Sequence, residues 1–172
     1  MIKKLDIVVI NADDGTASIL LGNGDGTFQN QTIFKIGKVP FDMTIGDFNN
    51  DSNLDLAVGD FQDSTVNVLL GNGNGTFQNQ IKTSLGHQLI SLLSGDLNND
   101  SKQDLAVTSF SGGIISVLLG KGDGTFDKQI KYSVGLMSTF AAAGSFRDHT
   151  KLDLVVVYTG GDSLAVFFNS CS

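Results

Sequence analysis

An all-β fold built from copies of one four-stranded unit is predicted by three features of the sequence. Motifs recur with a fixed spacing of 49 residues along the 172-residue chain. The composition favours turns: there are 21 Gly, and all 18 acidic residues are Asp, whereas the helix former Glu does not occur. Finally, no segment repeats its apolar residues about every 3.6 positions, as an amphipathic helix would.

Two motifs carry the repeat. The Asp-rich motif occurs as "GDFNNDSNLDLAV" from Gly46, "GDLNNDSKQDLAV" from Gly95 and "GSFRDHTKLDLVV" from Gly144. The Gly-rich motif occurs as "LLGNGDGTF" from Leu20, "LLGNGNGTF" from Leu69 and "LLGKGDGTF" from Leu118. A fixed period of this length indicates one array of copies, such as a propeller or a solenoid, and not a mosaic of domains.

A full copy contains four segments of strand length. In the second copy these segments are 41–48, 54–61, 65–71 and 78–86, and turn signals separate them. Asn74-Gly75 supplies the positive φ of a tight hairpin turn. The strand that contains "LDLAV" is apolar on both faces, which indicates that neighbouring copies cover both sides of the sheet. Four antiparallel strands stacked between neighbours describe a β-propeller blade.

The repeat predicts one propeller array over residues 1–172, with about three and a half blades. The expected bounds are 1–37 for a partial blade, 38–86 and 87–135 for full blades, and 136–172 for a second partial blade. The first copy would lack its innermost strand and the last copy its outermost, which leaves fourteen strands. Because an open arc exposes unpaired strand edges, we expect the array to be part of a longer chain or to associate through those edges.

Phenylalanine occupies the same place after each Gly-rich turn. These residues are Phe28, Phe77 and Phe126. We expect them to pack between successive blades and not to contact a ligand.

The Asp-rich loops place oxygen-bearing side chains at every second position, a spacing that suits a hard cation. Calcium takes about six to eight oxygen ligands and tolerates irregular geometry, whereas magnesium prefers to keep its waters. The expected ligands in one loop are Asp47, Asn49, Asp51, the main-chain carbonyl of Asn53, and Asp55; in the next they are Asp96, Asn98, Asp100, the main-chain carbonyl of Lys102, and Asp104. The alternative is a loop of Asx turns without a metal, in which three carboxylates would repel one another.

The loop and the "LLGNGxGTF" hairpin together resemble the FG-GAP, or VCBS, repeat of integrin-α-like β-propellers. That motif is close to D-x-[DN]-x-D-G-x-x-D followed by an apolar strand, and the two loops match except that Ser52 and Ser101 stand in place of its Gly. The resemblance covers nearly the whole chain. It implies calcium in the loop between the first and second strands of a blade, on the lower face, and it implies no catalytic residue.

The fourth copy departs from this pattern. Its loop carries Ser145, Arg147, His149 and Lys151 at ligand positions and keeps only Asp153. We therefore expect no calcium there, and we expect the cationic side chains to neutralise Asp148 and Asp153 instead. The first copy contributes only Asp6 of its loop.

Composition excludes several classes of function. The net charge of -7, with scattered basic residues, argues against nucleic-acid binding. No apolar stretch is long enough to span a membrane. Two His, no Glu and one Cys, Cys171, offer no visible nucleophile–base arrangement, so the sequence predicts a protein that is not an enzyme.

The leading interpretation is a calcium-binding extracellular module that binds proteins or cell surfaces. Calcium loops of extracellular modules bind weakly, roughly at 10⁻⁴–10⁻³ M, and would be empty in cytosol. Two alternatives stay open: a lectin, although the chain has no Trp for stacking on sugars, and a non-catalytic part of a larger secreted enzyme. Asn30 and Asn74 lie in sequons that a eukaryotic secretory pathway could glycosylate.

The ligand of such a module would be a protein or a glycan on the upper face. There the connections differ between copies, while the Asp-rich loops and the Gly-rich hairpins agree. Loops on a rigid scaffold carry binding disproportionately. The candidate residues on this face are Lys38, Asp60, Gln62, His87, Gln88 and Tyr158.

Overall fold

The structure, a computed structural model, describes residues 5–109, 112–134, 138–147, 151–158 and 163–169. Every regular element in these ranges is a β-strand. The strands are β1 Ile7–Asn11, β2 Thr16–Leu20, β3 Thr32–Lys35, β4 Pro40–Gly46, β5 Asp55–Asp60, β6 Thr65–Leu69, β7 Ile81–Ser84, β8 Leu89–Gly95, β9 Asp104–Ser109, β10 Ile114–Leu118, β11 Ile130–Ser133, β12 Ser138–Gly144, β13 Asp153–Tyr158 and β14 Ser163–Phe167. The described residues include no helix that could span a membrane.

The strands form four antiparallel sheets in chain order. They are β1–β3, β4–β7, β8–β11 and β12–β14, and within each sheet the strands that follow one another in sequence are hydrogen-bonded neighbours. The bounds of β8–β11 are those of β4–β7 moved by one repeat, and β12–β14 follow with the same offset. The prediction of an all-β propeller array, with three, four, four and three strands in its blades, is confirmed.

The second strand of each full blade is buried along its whole length. All six residues of β5 and all six of β9 are buried. Leu56 and Val58 of β5 face the first sheet, whereas Ala57 between them faces the third sheet. This arrangement explains why the sequence of these strands does not alternate between apolar and polar residues: a sheet stacked between two others has no solvent face.

The core consists of apolar layers between successive sheets. One layer joins the first two sheets through Ala17, Ile36 and Leu69, among others. A second layer lies between the second and third sheets, and a third layer between the third and fourth. Each layer holds two sheets face to face, so the stability of the array comes from contacts between neighbouring copies.

The Gly-rich hairpins of the second and third sheets pack against the preceding sheet, and a hairpin of the same form follows β2 in the first sheet. These hairpins, Gly22–Phe28, Gly71–Phe77 and Gly120–Phe126, are each closed by a bridge between their first and last residues. The ring of Phe77 packs edge-on against Phe34 of the preceding sheet, with centroids 5.4 Å apart, and Phe126 packs against Phe48 at 6.2 Å. The predicted anchoring role is confirmed for Phe77 and Phe126. Phe28, on the first described sheet, is 40% exposed.

This difference predicts unequal effects for the same substitution. Phe126→Ala should lower the free energy of unfolding by about 3 kcal/mol, because it removes an aromatic ring that packs between two sheets. The matched control, Phe28→Ala in the first hairpin, should cost less than about 1 kcal/mol because its ring is already partly in solvent. Urea unfolding of the two variants measures both values, and equal losses would contradict the anchoring role.

Candidate functional site

Each Asp-rich loop joins the first and second strands of a full blade. Left-handed backbone at two positions of each loop turns the chain sharply, with φ of 58° at Asn50 and 67° at Ser52 in the first loop. Asn99 and Ser101 repeat these values in the second loop, at 62° and 65°. These turns bring the side chains at alternate positions to the same side of the loop.

Side-chain oxygens converge on the main chain inside the first loop. Asp47 accepts hydrogen bonds from the N–H of Asp51 at 3.1 Å and of Ser52 at 2.8 Å. Asn49 Oδ1 also accepts from the N–H of Asp51, at 3.2 Å, and Asp51 accepts from the N–H of Asn53 at 2.8 Å. The side chains at the first, third and fifth positions of the motif therefore gather around the N–H groups of the loop, and their role as cation ligands stays a prediction.

The second loop repeats this arrangement bond for bond. Asp96 accepts from the N–H of Asp100 at 3.0 Å and of Ser101 at 2.8 Å. Asn98 accepts from the N–H of Asp100 at 3.1 Å, and Asp100 accepts from the N–H of Lys102 at 2.9 Å. One difference separates the loops: the ammonium group of Lys102 lies 3.6 Å from Asp100. The Lys102 side chain thus supplies a cation of its own at this loop, in addition to the expected main-chain carbonyl.

The aspartate at the ninth position has a structural role that the sequence pattern alone did not reveal. Asp55 is buried, and its two oxygens accept hydrogen bonds from the N–H of Phe48 at 2.7 Å and of Gly71 at 2.7 Å. It therefore ties the Asp-rich loop to the start of the Gly-rich hairpin. At Gly71 there is no room for a side chain, because a Cβ would lie 2.2 Å from the carbonyl oxygen of Leu54.

The same connection occurs in the third copy, the fourth copy has its equivalent, and the first copy has one of its two bonds. Asp104 accepts from the N–H of Leu97 and of Gly120, both at 2.8 Å. Asp6 accepts from Gly22 N–H at 2.8 Å, and Asp153 accepts from the N–H of Phe146 at 3.1 Å and of Asn169 at 2.8 Å. The signal for this role was present in the sequence, since Asp6 and Asp153 are kept in copies that have lost or lack the other loop aspartates.

The electrostatic environment of this aspartate differs between copies. Burial raises the pKa of Asp55, and the carboxylates of Asp51 and Asp47 raise it further against the hydrogen bonds from Gly71 and Phe48. The pKa of Asp104 is raised in the same way by burial and by the carboxylates of Asp100 and Asp96. The two acid-rich loops therefore place a buried carboxylate beside two further carboxylates.

In the fourth copy, an arginine lies beside the equivalent aspartate. The hydrogen bond from Asn169 N–H lowers the pKa of Asp153, and the bond from Phe146 and the Arg147 guanidinium lower it further, although burial opposes them. Arg147 lies 3.5 Å from Asp153 and stacks over the Phe168 ring at 4.2 Å. The expected pairing of a cationic side chain with Asp153 is confirmed, whereas Asp148 and His149 lie outside the described residues.

The donor atoms of the two loops fit a hard cation. Among the described residues, no three His, Cys, Asp or Glu side chains gather closely enough to hold a metal ion by themselves. A cation in the first loop would therefore use Asp47 and Asp51 together with the amide oxygen of Asn49 and the carbonyl of Asn53, while Asp55 holds the main chain. Carboxylate, amide and carbonyl oxygens are the ligands that calcium takes, so the residues fit this ion chemically.

At the upper face, opposite to the Asp-rich loops, the structure corrects one candidate for the ligand surface. Asp60 is fully buried and accepts hydrogen bonds from the N–H groups of Lys38, Val39 and Asp63. It therefore holds the connection that leads into β4 and cannot contact a ligand. The reason is that β5 continues to Asp60, so this residue lies inside the stack of sheets and not in the following turn.

The other candidates on the upper face have varied surroundings. Lys38 is exposed and pairs with Asp63 at 2.6 Å. Gln62 is exposed and Gln88 is half-buried. His87 is half-buried, and its Nε2 lies 2.8 Å from Ser116 Oγ. Tyr158 ends β13, and its side chain falls outside the described part of the chain.

The left-handed serines predict a stabilising change. Ser52→Gly and Ser101→Gly together should raise the free energy of unfolding by about 1 kcal/mol, because left-handed backbone is strained for Ser and free of that strain for Gly. The control Ser84→Gly, in the extended strand β7, should instead lower it by about 0.5 kcal/mol. Urea unfolding in the presence of a chelator measures the three variants, and a loss of stability in the double variant would contradict the argument.

The hydrogen bonds of Asp60 predict a dependence on pH. Although burial alone would raise it, the N–H groups of Asp63, Lys38, Val39 and Gln62 together lower the pKa of Asp60. Its carboxylate therefore stabilises the fold at neutral pH, and this contribution is lost as the pH falls through the lowered folded pKa, below about pH 4. Asp60→Asn should cost about 2 kcal/mol at pH 7 and progressively less on acidification. A cost that stays constant in urea titrations from pH 7 to pH 3 would contradict this.

Comparisons with known proteins agree with the repeat architecture. One chain of the crystal structure described as "BBS1N in complex with ARL6DN, soaked with mercury" is similar over 97% of this chain and 51% of its own length, with a TM-score of 0.60 and 15% identity. This chain thus spans about half the length of that one, and an identity so low shows a shared fold alone. No curated protein matches. A model of the FG-GAP-like repeat matches residues 3–58 and 47–107, which is more than half of the chain. The chain therefore belongs to the FG-GAP-like repeat family.

Proposed function

We propose that this chain is a non-catalytic, calcium-stabilised propeller module that works outside the cell and binds a protein or a cell-surface ligand. One observation carries the proposal: two loops, one repeat apart, hold the same set of inward-facing oxygens with the same hydrogen bonds.

The comparison between copies supports a cation most directly at the first of these loops. In the fourth copy the buried aspartate has Arg147 beside it. In the first full blade the equivalent aspartate, Asp55, has Asp47 and Asp51 nearby, and the structure gives this loop no ion pair with Lys or Arg among the described residues. A bound cation would supply the positive charge that Arg147 supplies in the fourth copy. Calcium suits this role because it accepts an all-oxygen ligand set of irregular geometry.

The location and the ligand surface follow from the calcium proposal and from the differences between copies. Loops of weak affinity are filled at extracellular calcium concentrations and empty in cytosol. The connections on the upper face, opposite to the Asp-rich loops, differ between copies, and Lys38 and Gln62 are exposed there. We assign the ligand to this upper face. Arrays of glycans and extracellular proteins, probed with the protein in calcium and in chelator, distinguish a sugar from a protein ligand.

Calcium should stabilise the chain through two sites. At millimolar calcium and a dissociation constant near 10⁻⁴ M, each site contributes about 1.4 kcal/mol by mass action. Scanning calorimetry with calcium and with chelator measures the shift in melting temperature, and titration calorimetry gives the stoichiometry. Asp51→Ala and Asp100→Ala should each remove one site, and the double variant should lose the calcium effect.

Two further variants sharpen the calcium test. His149→Ala, in the fourth loop, should leave two sites. Lys102→Asn gives the second loop the residue that the first loop has at this position, and it should tighten calcium binding there several-fold because it removes the ammonium group near Asp100. An unchanged melting temperature in calcium, or an equal shift in the Asp51→Ala, Asp100→Ala double variant, would contradict the proposal.

A further inference from the structure

An apolar groove lies between the third and fourth sheets. Its volume is about 420 Å³, and its walls include Leu97, Leu119, Ile130 and Tyr132 from the third sheet and Phe167 from the fourth. Ile130 and Tyr132 are 43% and 46% exposed. These residues are not scattered surface apolar groups, because the two preceding interfaces between sheets show what occupies the equivalent place.

Between the second and third sheets, the Gly-rich hairpin Gly120–Phe126 fills this place. A Cβ built on Gly124 would lie 3.0 Å from the side chains of both Leu70 and Ile81, so the hairpin backbone rests directly on them. Gly124 N–H also donates to the carbonyl of Phe48 at 2.9 Å. One repeat later, Phe48, Leu70 and Ile81 correspond to Leu97, Leu119 and Ile130, which line the groove.

Between the first and second sheets, the hairpin Gly71–Phe77 fills the equivalent place. Gly75 rests on Leu21, and Phe77 packs on Phe34. Two repeats later these two contact residues correspond to Leu119 and Tyr132. The groove is therefore a third copy of a seat that a Gly-rich hairpin occupies twice, and no such hairpin rests on it among the described residues.

The edge of the fourth sheet continues this seat. In the full blades the strand after the hairpin, β7 or β11, pairs with β6 or β10. In the fourth sheet, β14 corresponds to β6 and β10. It pairs with β13 and, within the described residues, has no strand on its other side. An unpaired edge of this kind can accept an added strand through main-chain hydrogen bonds.

The main-chain carbonyl that would accept a hydrogen bond from the hairpin already accepts one from a side chain. Leu97 corresponds to Phe48, whose carbonyl accepts from Gly124 N–H. The Leu97 carbonyl instead accepts from the side-chain amide of Asn169, the counterpart of Gly120. A hairpin N–H would replace this side-chain amide at the Leu97 carbonyl, as Gly124 N–H bonds the equivalent carbonyl of Phe48.

We propose that the groove and the β14 edge form an acceptor site for a peptide segment of the Gly-x-Gly-x-Gly-Thr-Phe type followed by a short strand. The Gly-rich turn would rest on Leu119 and Ile130, the Phe would enter against Leu97, and the strand would pair with β14. The two occupied seats in this chain set the chemistry of the partner. This site does not depend on calcium, so failure of the calcium test leaves it unaffected.

The experiment uses the whole chain and a synthetic peptide of residues 120–133, GKGDGTFDKQIKYS. Titration with the peptide should shift backbone NMR signals of Leu119, Ile130 and β14, and it should raise the melting temperature. A peptide with Phe126→Ala should bind at least about tenfold more weakly, because it lacks the buried ring. The Ile130→Lys protein should bind the original peptide at least about tenfold more weakly.

Controls separate the site from general stickiness and from unfolding. Ile33→Lys changes an apolar residue of similar exposure, 56%, on β3 of the first sheet, and it should leave peptide binding unchanged. Both protein variants must retain the wild-type pattern of strand signals elsewhere. If a second copy of the chain already fills the groove, light scattering will show a dimer that the peptide dissociates, and this result also supports the site. An absence of shifts at about 1 mM peptide, or equal binding by both peptides or by both protein variants, overturns the proposal.

Discussion

Three of the four blades depend on one buried carboxylate. Asp55, Asp104 and Asp153 each stand at the first residue of a second strand and accept two main-chain hydrogen bonds. One comes from the Asp-rich loop or its counterpart, and the other from the second residue after the third strand. Charged hydrogen bonds of this kind are stronger than neutral ones, and leaving the N–H groups unpaired in the interior would be costly. The aspartate thus fixes the loop and the hairpin relative to each other, and the packing of the next blade depends on where that hairpin stands.

Burying this charge creates the electrostatic difference between the copies. A buried carboxylate is stable when a positive charge lies near it, and Arg147 provides one for Asp153. Burial is the largest cause of the raised pKa values of Asp55 and Asp104, and the further carboxylates of the acid-rich loops add to it. The pKa of Asp153 is lowered mainly by the hydrogen bond from Asn169 N–H, and Arg147 adds to this effect. The residues at the first, third and fifth positions are therefore dispensable for the connection itself, and their presence in two loops requires a separate explanation such as a bound cation.

The fold could be predicted from the sequence because the 49-residue period and the turn residues act together. The period aligned the strands, and Asn74-Gly75 and its counterparts marked the hairpins, so the number and order of strands followed. The direction of individual side chains could not be obtained in this way. Asp55 looked like one more alternate oxygen of the loop, although its side chain turns to Phe48 and Gly71. Asp60 looked like a turn residue after Gly59, although the strand continues through it. Packing of the hairpin Phe between blades could be predicted from its place in the repeat. The residues of the preceding sheet on which each hairpin rests could not, because they belong to another copy and only the folded arrangement brings them together.

The seating of each hairpin on the sheet before it gives the array a polarity. Leu70 and Ile81 belong to the second sheet, but they are covered only when Gly124 and Phe126 of the third sheet are in place. During synthesis from the N-terminus, each sheet would emerge with one apolar side open and would be closed by the segment that follows it. Folding by this route is vectorial, and the segment most exposed to wrong partners at any moment is the sheet made last.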